Sequence, residues 1–509
     1  MLKRKIRVLG MQLGFHRDYP DTSIMATGYN DGIYYVLSYL MEHVPGVEVD
    51  MVQMYWGEDP RQRAIEDYDY ILISSLATQF WSNLDVLRAL RERRAPGARI
   101  IYGGPHATFA PYEVLRYADF VIIGEGEIPI VQLITALETG GNLDQVDNLC
   151  RLDERDRLVF NRMQRYGNLN HSLNPALLAS APPLHWATVS MTRGCPFNCS
   201  FCYAVRQLGR TYRTKDVDGI VAELDGIKRQ TGCGRFYVSD LHFTLRHDFC
   251  LAIARRIVDR GYRFVAMSRI EVADDEDFVL EMKRSGFGEY CIGVESEDPE
   301  TLEIFNKRVD ASQQTHRLQR LAELDVGVHS ALLFGLDGHD RSFVEKSARW
   351  AAEARIIHPT FVCLAEYPFQ NLMFGSRQDV EDHRILMQVP TYQLYSFVGM
   401  FPRHIRPSAL QRAMLDAYDI FFEHAYRIET RPQRRMRLKS YQRSVACARE
   451  GTMRHIAFLR EVEAPFYRAD DTLDEDLLKG DFDKRFGKLR QWLTDSIVKP
   501  KSLALTMAH

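Results

Sequence analysis

Three cysteines, Cys195, Cys199 and Cys202, share one short loop in the spacing Cys-x3-Cys-x2-Cys. The apolar run from Trp186 to Met191 predicts a strand just before them, so the loop falls at a strand end. Three thiolates held this closely can be directed at one metal centre. A closed structural zinc site needs four ligands, and the sequence has no second Cys-x2-Cys pair. A cubane iron-sulfur cluster normally takes four thiolates, so three leave one iron with an open, catalytic position.

The chain of 509 residues, 46% hydrophobic and 26% charged, is long enough for two or three domains. A formal net charge of −3 gives no electrostatic reason to expect a nucleic-acid partner. Without a signal peptide or a membrane-spanning apolar run in the sequence, we expect a cytoplasmic protein with no membrane span. Nine cysteines are too sparse for a disulfide framework. Those outside the loop are predicted to be packing residues: Cys150, Cys233, Cys250, Cys291, Cys363 and Cys447.

Two series of strands and helices must position the cysteine loop. In residues 1–140, strand-like runs alternate with amphipathic segments, which predicts a small doubly wound α/β sheet with its ligand beyond the carboxyl ends of the strands. The five predicted strands cover residues 5–13, 47–54, 70–74, 99–102 and 120–123. Residues 141–184 turn polar and lose this period, and we expect a linker there.

The second series covers residues 185–388 and contains six strand-helix repeats, which predicts a partial (β/α)6 barrel. After about Val389 the strands stop, and residues 389–509 are predicted to form a mostly helical carboxy-terminal region. Its arginines fit a solvated helical face better than a binding patch: Arg403, Arg406, Arg412, Arg427, Arg431, Arg434, Arg435 and Arg437.

The segment from Arg193 to Tyr203, RGCPFNCSFCY, resembles the cluster-binding motif of the radical S-adenosylmethionine (SAM) superfamily. The aromatic residue that the family places before its third cysteine is Phe201. The resemblance implies that the three loop cysteines are the catalytic metal ligands of a 4Fe-4S cluster and that SAM chelates the fourth iron. Electron transfer into the sulfonium then releases a 5'-deoxyadenosyl radical, and the protein directs it at a C-H bond.

The same resemblance implies contacts to SAM at the ends of the barrel strands. Asp240 ends the second strand, with a capping or turn role as an open alternative, and Arg269 either faces a carboxylate or pairs locally. The Gly-x-Glu-Ser segment contacts the ribose or amino acid part of SAM, and the fifth strand packs near adenine, although turn chemistry also explains its glycines. The implied residues are Tyr203, Asp240, Arg269, Glu295, Ser296 and Phe334. Residues 367–371 depart from the family's Pro-Gly-Thr segment, which leaves the substrate side unassigned.

Three loops of the first domain read SSLAT at 74–78, GGPHAT at 103–108 and GEGE at 124–127. Set before a radical-cluster motif, they resemble the cobalamin-binding domain of cobalamin-dependent (class B) radical SAM enzymes, and this resemblance covers residues 1–385. It implies cobalamin contacts from Ser74, Ser75, Thr78, Gly103, Gly104, His106, Glu125, Gly126 and Glu127. We expect His106 to anchor its loop or contact a cofactor amide. The Asp-x-His-x-x-Gly motif is absent from this domain, so the lower cobalt face is expected to be water-bound or vacant.

The resemblance therefore implies a C-methyltransferase that moves a methyl group from SAM through methylcobalamin to an unactivated carbon of a small-molecule substrate. Its cofactors would be a 4Fe-4S cluster, SAM and cobalamin, and its partner an electron donor such as flavodoxin or ferredoxin. An oxidative cyclase or rearrangement enzyme without net methyl transfer is one alternative. A degenerate binding or scaffold protein is another, and the intact cysteine motif argues against it.

Overall fold

The computed structural model describes residues 4–16, 31–56, 65–76, 80, 83–179, 184–364, 367, 381–386 and 398–496. Two groups of residues singled out above lie outside the described residues. They are Thr78, one of the predicted cobalamin contacts, and residues 368–371 of the barrel's closing loop.

The first domain is built on parallel strands covered by helices. The strands are β1 (Ile6–His16), β2 (Val47–Trp56), β3 (Tyr70–Ser74), β4 (Arg99–Gly103) and β5 (Phe120–Ile122). The helices are α1 (Asp31–His43), α2 (Leu84–Arg93), α3 (Gly104–Phe109), α4 (Pro111–Val114) and α5 (Glu127–Thr139). The strand order β2-β1-β3-β4-β5 reverses between β1 and β3. Such a switch point is where doubly wound sheets bind ligands, beyond the carboxyl ends of their strands.

Two antiparallel strands extend this sheet beyond β5. They are β6 (Leu149–Leu152) and β7 (Leu158–Phe160), and they give the sheet seven strands. The prediction of a linker over 141–184 is therefore wrong for this stretch. Runs of three or four residues are too short to show a clear alternation, and the hairpin gains its stability by pairing with the edge of β5.

The second domain is the predicted partial barrel of six parallel strands, in the order β15-β14-β13-β12-β11-β8. In chain order its strands and the intervening short ribbon are β8 (Ala187–Val189), β9 (Thr192–Arg193), β10 (Arg213–Thr214), β11 (Arg235–Val238), β12 (Arg263–Ser268), β13 (Phe287–Ile292), β14 (Gly327–Phe334) and β15 (His358–Cys363). Its helices are α6 (Ala204–Leu208), α7 (Val217–Thr231), α8 (His247–Ile257), α9 (Glu276–Arg284), α10 (Pro299–Ile304), α11 (Ala311–Glu323) and α12 (Arg341–Glu353).

Long helices follow the barrel, as predicted. They are α13 (Pro407–Ile428), α14 (Pro432–Glu463) and α15 (Glu475–Ser496). Phe482 and Leu493 of α15 are buried in the hydrophobic core of the first domain, whereas Glu475 at its start pairs with Arg403 near the barrel. Helix α15 thus connects the two domains. Across the described residues, no helix combines the length and apolar character needed to cross a membrane.

The carboxy-terminal arginines follow the prediction of a solvated face only in part. Arg434 is buried and donates to Glu429 at 2.9 Å, and Arg403 donates to Asp337 at 2.5 Å in the loop after β14. Arg427 has an exposed side chain, as expected for a solvated helical face. Five of these arginines join distant segments: Arg403, Arg406 and Arg437 pair with acids far away in the sequence, and Arg431 and Arg434 donate to backbone carbonyls far away.

The cysteines outside the loop follow the packing prediction only in part. Cys150, Cys233, Cys250 and Cys363 are buried, but Cys291 is half-buried and Cys447 is exposed.

Candidate active site

The cysteine loop is held by a left-handed glycine and by its own backbone. Gly194 has φ +87°, and a Cβ there would lie 2.1 Å from the carbonyl oxygen of Thr211. Cys195 N donates to the carbonyl of Gly209 at 3.1 Å, and the guanidinium of Arg210 donates to the carbonyl of Pro196. These contacts close the loop beyond the carboxyl end of β8, because only glycine fits the first of them.

The three thiols lie close enough to influence one another. Burial, with a smaller effect of the neighbouring Cys199 and Cys195, raises the pKa of Cys202 to about 11. Burial also raises the pKa of Cys195, with Cys199 adding to the effect. In the part of the chain that the structure describes, no three His, Cys, Asp or Glu side chains converge as around a single ion. Three thiolates that share one loop fit a 4Fe-4S cluster, which spreads its cysteine ligands over several irons and leaves one iron open.

Two buried cations lie on the aromatic rings of the cysteine loop. The Arg269 guanidinium is 3.8 Å from the ring centroid of Phe197, and Lys307 Nζ is 5.8 Å from that of Phe201. Arg269 also donates to the carbonyl of Lys307 at 3.0 Å and to Glu271 at 3.0 Å, the local pairing left open by the sequence. Positive charge at this position favours the thiolate form that a metal cluster requires.

Asp240 positions the segment that leads into the loop. Its carboxylate accepts hydrogen bonds from Met191 N at 2.9 Å and Thr192 Oγ1 at 2.8 Å. Burial raises the Asp240 pKa to about 6, against the lowering effect of these hydrogen bonds. These hydrogen bonds give Asp240 a structural role, and the SAM contact predicted for it stays a prediction.

Glu295 and Ser296 lie beyond the end of β13. Glu295 has φ +67°, and its backbone pairs with Ala331 and Leu333 of β14. Its carboxylate accepts from Lys307 Nζ at 2.8 Å, while Ser296 Oγ accepts from the backbone of Asp298. A left-handed conformation is costly for glutamate, and such strain is concentrated at functional sites.

Phe334 ends β14 and is buried with Phe361 and Phe343 as ring neighbours. The SAM contacts predicted for Phe334, Glu295 and Ser296 stay predictions.

The loops of the first domain approach one another closely. Gly104 has φ +90°, and a Cβ there would lie 2.7 Å from Ser74 Oγ. His106 N donates to the carbonyl of Ser75 at 3.3 Å. Thr108 Oγ1 donates to the carbonyl of Gly104 and accepts from Gly124 N, both at 2.9 Å. Thr108 was not among the predicted site residues, although it lies within the GGPHAT motif.

His106 is buried beneath these loops. Its ring centroid lies 4.3 Å from that of Phe80, and its Nε2 is 3.3 Å from the carboxylate of Glu113 without hydrogen-bond geometry. This packing is consistent with a loop-anchoring role for His106, and the contact to a cofactor amide stays a prediction. Gly103, the residue before the left-handed Gly104, ends β4.

The strand ends of the two domains face each other through aromatic contacts. The ring of Tyr203, next to Cys202, has its centroid 5.3 Å from that of Phe109 at the end of α3. Tyr367 N donates to Tyr203 Oη at 3.2 Å, and the Tyr367 ring centroid is 5.2 Å from both other rings. The cysteine loop and the GGPHAT loop therefore border the same space.

Ion pairs join the GEGE segment to the barrel. Glu125 accepts from both terminal nitrogens of Arg213, at 2.5 and 3.0 Å, and Glu127 pairs with Arg193, directly before the cysteine loop. Burial alone would raise the Glu127 pKa, but Arg193 outweighs it and holds the pKa at about 2.

Both GEGE carboxylates are thus engaged within the protein, and the cobalamin contacts predicted for this segment, Gly126 included, stay predictions. Arg193 and Arg213 were not predicted to lie at this site, although Arg193 opens the cysteine motif.

Comparisons with known proteins agree with this architecture. Residues 22–134 match the B12 binding domain and residues 189–351 match the Radical SAM superfamily. The anaerobic magnesium-protoporphyrin IX monomethyl ester cyclase of Cereibacter sphaeroides is 27% identical over 63% of this chain and 53% of its own length. The hopanoid C-3 methylase of Methylococcus capsulatus is 30% identical over 51% of this chain and 52% of its own length. The chain therefore spans about half the length of these two curated relatives.

A solved structure shares the fold over most of the chain. The radical SAM methyltransferase TsrM from Kitasatospora setae, with cobalamin and a [4Fe-4S] cluster bound, superposes with a TM-score of 0.63 at 14% identity. The match covers 90% of this chain and 100% of that one. Together with this shared fold, the two domain matches show that the chain combines a B12 binding domain with a Radical SAM domain, and so has domains for cobalamin, a 4Fe-4S cluster and SAM.

Proposed function

We propose that this protein is a C-methyltransferase that moves a methyl group from SAM, through cobalamin, to an unactivated carbon of a small-molecule substrate. The observation that carries the proposal is the face-to-face arrangement of two strand-end sites. The cysteine loop beyond β8 touches the loops beyond β4 and β5 through Tyr203, Phe109 and the Arg193–Glu127 pair. Methyl transfer between two cofactors requires such proximity.

The residues of this chain bind the cofactors, orient them and exclude water from the space between them. When bound, the cluster and SAM supply radical chemistry and cobalamin supplies methyl transfer. Cys195, Cys199 and Cys202 hold the cluster, and the cations of Arg269 and Lys307 balance the charge of their thiolates. The aromatic rings between the two loops fill space that water would otherwise occupy, which limits quenching of reactive species.

Two further features belong to the proposal. A cluster of this kind needs an external electron, which we assign to a donor such as flavodoxin or ferredoxin. Oxidative cyclisation or rearrangement without net methyl transfer is the second candidate function, favoured by the relative named a cyclase.

The test is product analysis with the anaerobically reconstituted protein, hydroxocobalamin, SAM and a chemical reductant. For a methyltransferase we expect S-adenosylhomocysteine and 5'-deoxyadenosine in equal amounts per turnover, and a product in which a methyl group replaces hydrogen. A product without an added methyl group, formed with 5'-deoxyadenosine alone, would establish the cyclase alternative.

The variant Cys199→Ala should lose the iron-sulfur absorption and the formation of 5'-deoxyadenosine. Cys447→Ala is the matched control, because this cysteine is exposed on α14, far from the loop in sequence, and it should keep both. A cluster retained at wild-type level in Cys199→Ala would contradict the assignment of the ligands.

A further inference from the structure

The GEGE segment and the base of the cysteine loop have complementary buried charges. The side chains of Glu125 and Glu127 in the first domain are 1% and 5% exposed. Their partners in the second domain, Arg213 and Arg193, are 7% and 12% exposed. Glu125 also lies 3.8 Å from Arg193, so the two pairs form one network. Buried charges persist only when they are paired, which makes each side of the contact dependent on the other.

The two arginines lie at the two ends of the cysteine loop. Arg193 of β9 and Arg213 of β10 are direct partners in the antiparallel ribbon that brackets residues 194–212. Two guanidinium groups side by side repel each other, and in a buried position this repulsion is poorly screened. The glutamates, two residues apart in the chain, neutralise one arginine each. The ribbon that carries the cysteine loop is therefore stable only against the first domain.

Other contacts fix the glutamates themselves. Asn148 Nδ2 donates to the carbonyl of Glu125 at 2.8 Å, and Tyr166 N donates to its carboxylate at 3.3 Å. Glu127 is the first residue of α5, where the helix dipole favours a negative charge. Glu125 therefore has backbone and side-chain partners outside the β9–β10 ribbon, and Glu127 is placed by the start of α5.

We propose that the GEGE segment is a clamp that sets the position of the cysteine loop, with Glu125 and Glu127 as positioning residues for the cluster. The inference rests on the cofactors of the proposed function and adds a coupling to them. A change in the first domain, such as the binding of cobalamin, is transmitted through the clamp to the surroundings of the cluster.

The test compares full-length Glu127→Gln with the wild type after anaerobic reconstitution. The readouts are iron content and the electron paramagnetic resonance spectrum of the reduced cluster, recorded with and without hydroxocobalamin. We expect hydroxocobalamin to change the wild-type spectrum, and this change to be lost in Glu127→Gln. Glu138→Gln is the matched control, because Glu138 lies on the same helix and pairs with Arg4 inside the first domain; it should respond like the wild type.

A Glu127→Gln protein that responds to hydroxocobalamin like the wild type overturns the clamp while leaving the proposed function intact. A wild-type protein without a cluster signal overturns both. If Glu127→Gln does not fold, the double variant Glu127→Arg, Arg193→Glu tests the clamp in its place. Recovery of the cluster signal by exchanging the charges supports the clamp, and a double variant no better than Glu127→Gln contradicts it.

Discussion

At the scale of single residues, the cysteine loop depends on backbone conformation as much as on its thiols. Gly194 precedes the first cysteine in a left-handed conformation, against the carbonyl of Thr211. The sequence shows the thiols directly, because their spacing is local. It does not show that Thr211 leaves no room for a side chain at position 194, because that contact is made by the returning chain.

We expect Gly194→Ala to prevent correct closure of the loop. The left-handed conformation alone costs an L-residue roughly 1–2 kcal/mol, and the overlap with Thr211 adds to it. Iron bound per chain after reconstitution should fall together with the unfolding midpoint. Gly219→Ala on α7 is the control, because a Cβ there meets no atom within 4 Å; it should stabilise the protein by about 0.5–1 kcal/mol. Full iron content in Gly194→Ala would show that the loop tolerates the strain.

Asp240 makes the stability of the folded protein depend on pH, and its pKa gives the direction of that dependence. Its pKa is raised by burial to about 6 in the folded protein, against about 3.9 when unfolded. The folded state binds this proton more tightly than the unfolded state does. The resulting stabilisation of the fold is therefore fully present below about pH 4 and is lost as the pH rises through about 6. A shift of about two units corresponds to roughly 2–3 kcal/mol.

The variant Asp240→Asn removes this dependence. We expect its melting temperature, relative to the wild type, to rise between acid and neutral pH, as measured by thermal unfolding at a series of pH values. Asp248→Asn is the control with the opposite sign, because a hydrogen bond from Arg246 lowers the Asp248 pKa. If the difference in melting temperature between the wild type and Asp240→Asn does not change with pH, the burial of an ionising carboxyl at position 240 is contradicted.

At the scale of elements, helix α15 connects the barrel side of the molecule to the core of the first domain. Its first residue, Glu475, pairs with Arg403, and its later apolar residues enter the core of the first domain. The sequence predicted a helical carboxy-terminal region correctly from its period. It did not predict which core the helix joins, because an amphipathic face specifies burial and not the partner.

Phe482→Ala should destabilise the first domain through a cavity. Phe482 is 4% exposed within that core, and such truncations cost about 3–5 kcal/mol. The control is Leu477→Ala on the same helix, since Leu477 is 52% exposed and its loss should change stability by less than about 0.5 kcal/mol. Equal melting temperatures for the two variants would show that α15 does not pack as described.

At the scale of the whole molecule, α1 of the first domain packs on the mouth of the barrel. Tyr35 Oη donates to Glu223 and accepts from Ser190 N at 3.2 Å, and Ser239 Oγ donates to Asp31 at 2.7 Å. Glu223 also binds Lys215 at 2.9 Å. The interface is polar and buried, so it orients the domains specifically but tolerates few substitutions.

Tyr35→Phe leaves Ser190 N without its acceptor and Glu223 without one donor. We expect a loss of about 1–3 kcal/mol, seen as a lower unfolding midpoint or as separate transitions for the two domains. Tyr39→Phe, one turn further along α1, is the control. Its ring packs on His43 and His171, which the substitution preserves, so the midpoint should stay near that of the wild type. The interface assignment fails if both variants unfold alike.

The sequence alone determined the class of protein and most of its elements. The cysteine spacing, five strands of the first sheet and six of the barrel follow from patterns within a few residues of one another, which local chemistry and periodicity fix. The hairpin of β6 and β7 was missed, because strands this short form only against a neighbouring edge.

Only the tertiary structure decided how the GEGE segment is used. Glu127 and Arg193 are 66 residues apart in the chain, and Glu125 and Arg213 are 88 apart. No local pattern brings these charges together. The folding of two domains buries them side by side, and burial then makes each pair obligatory.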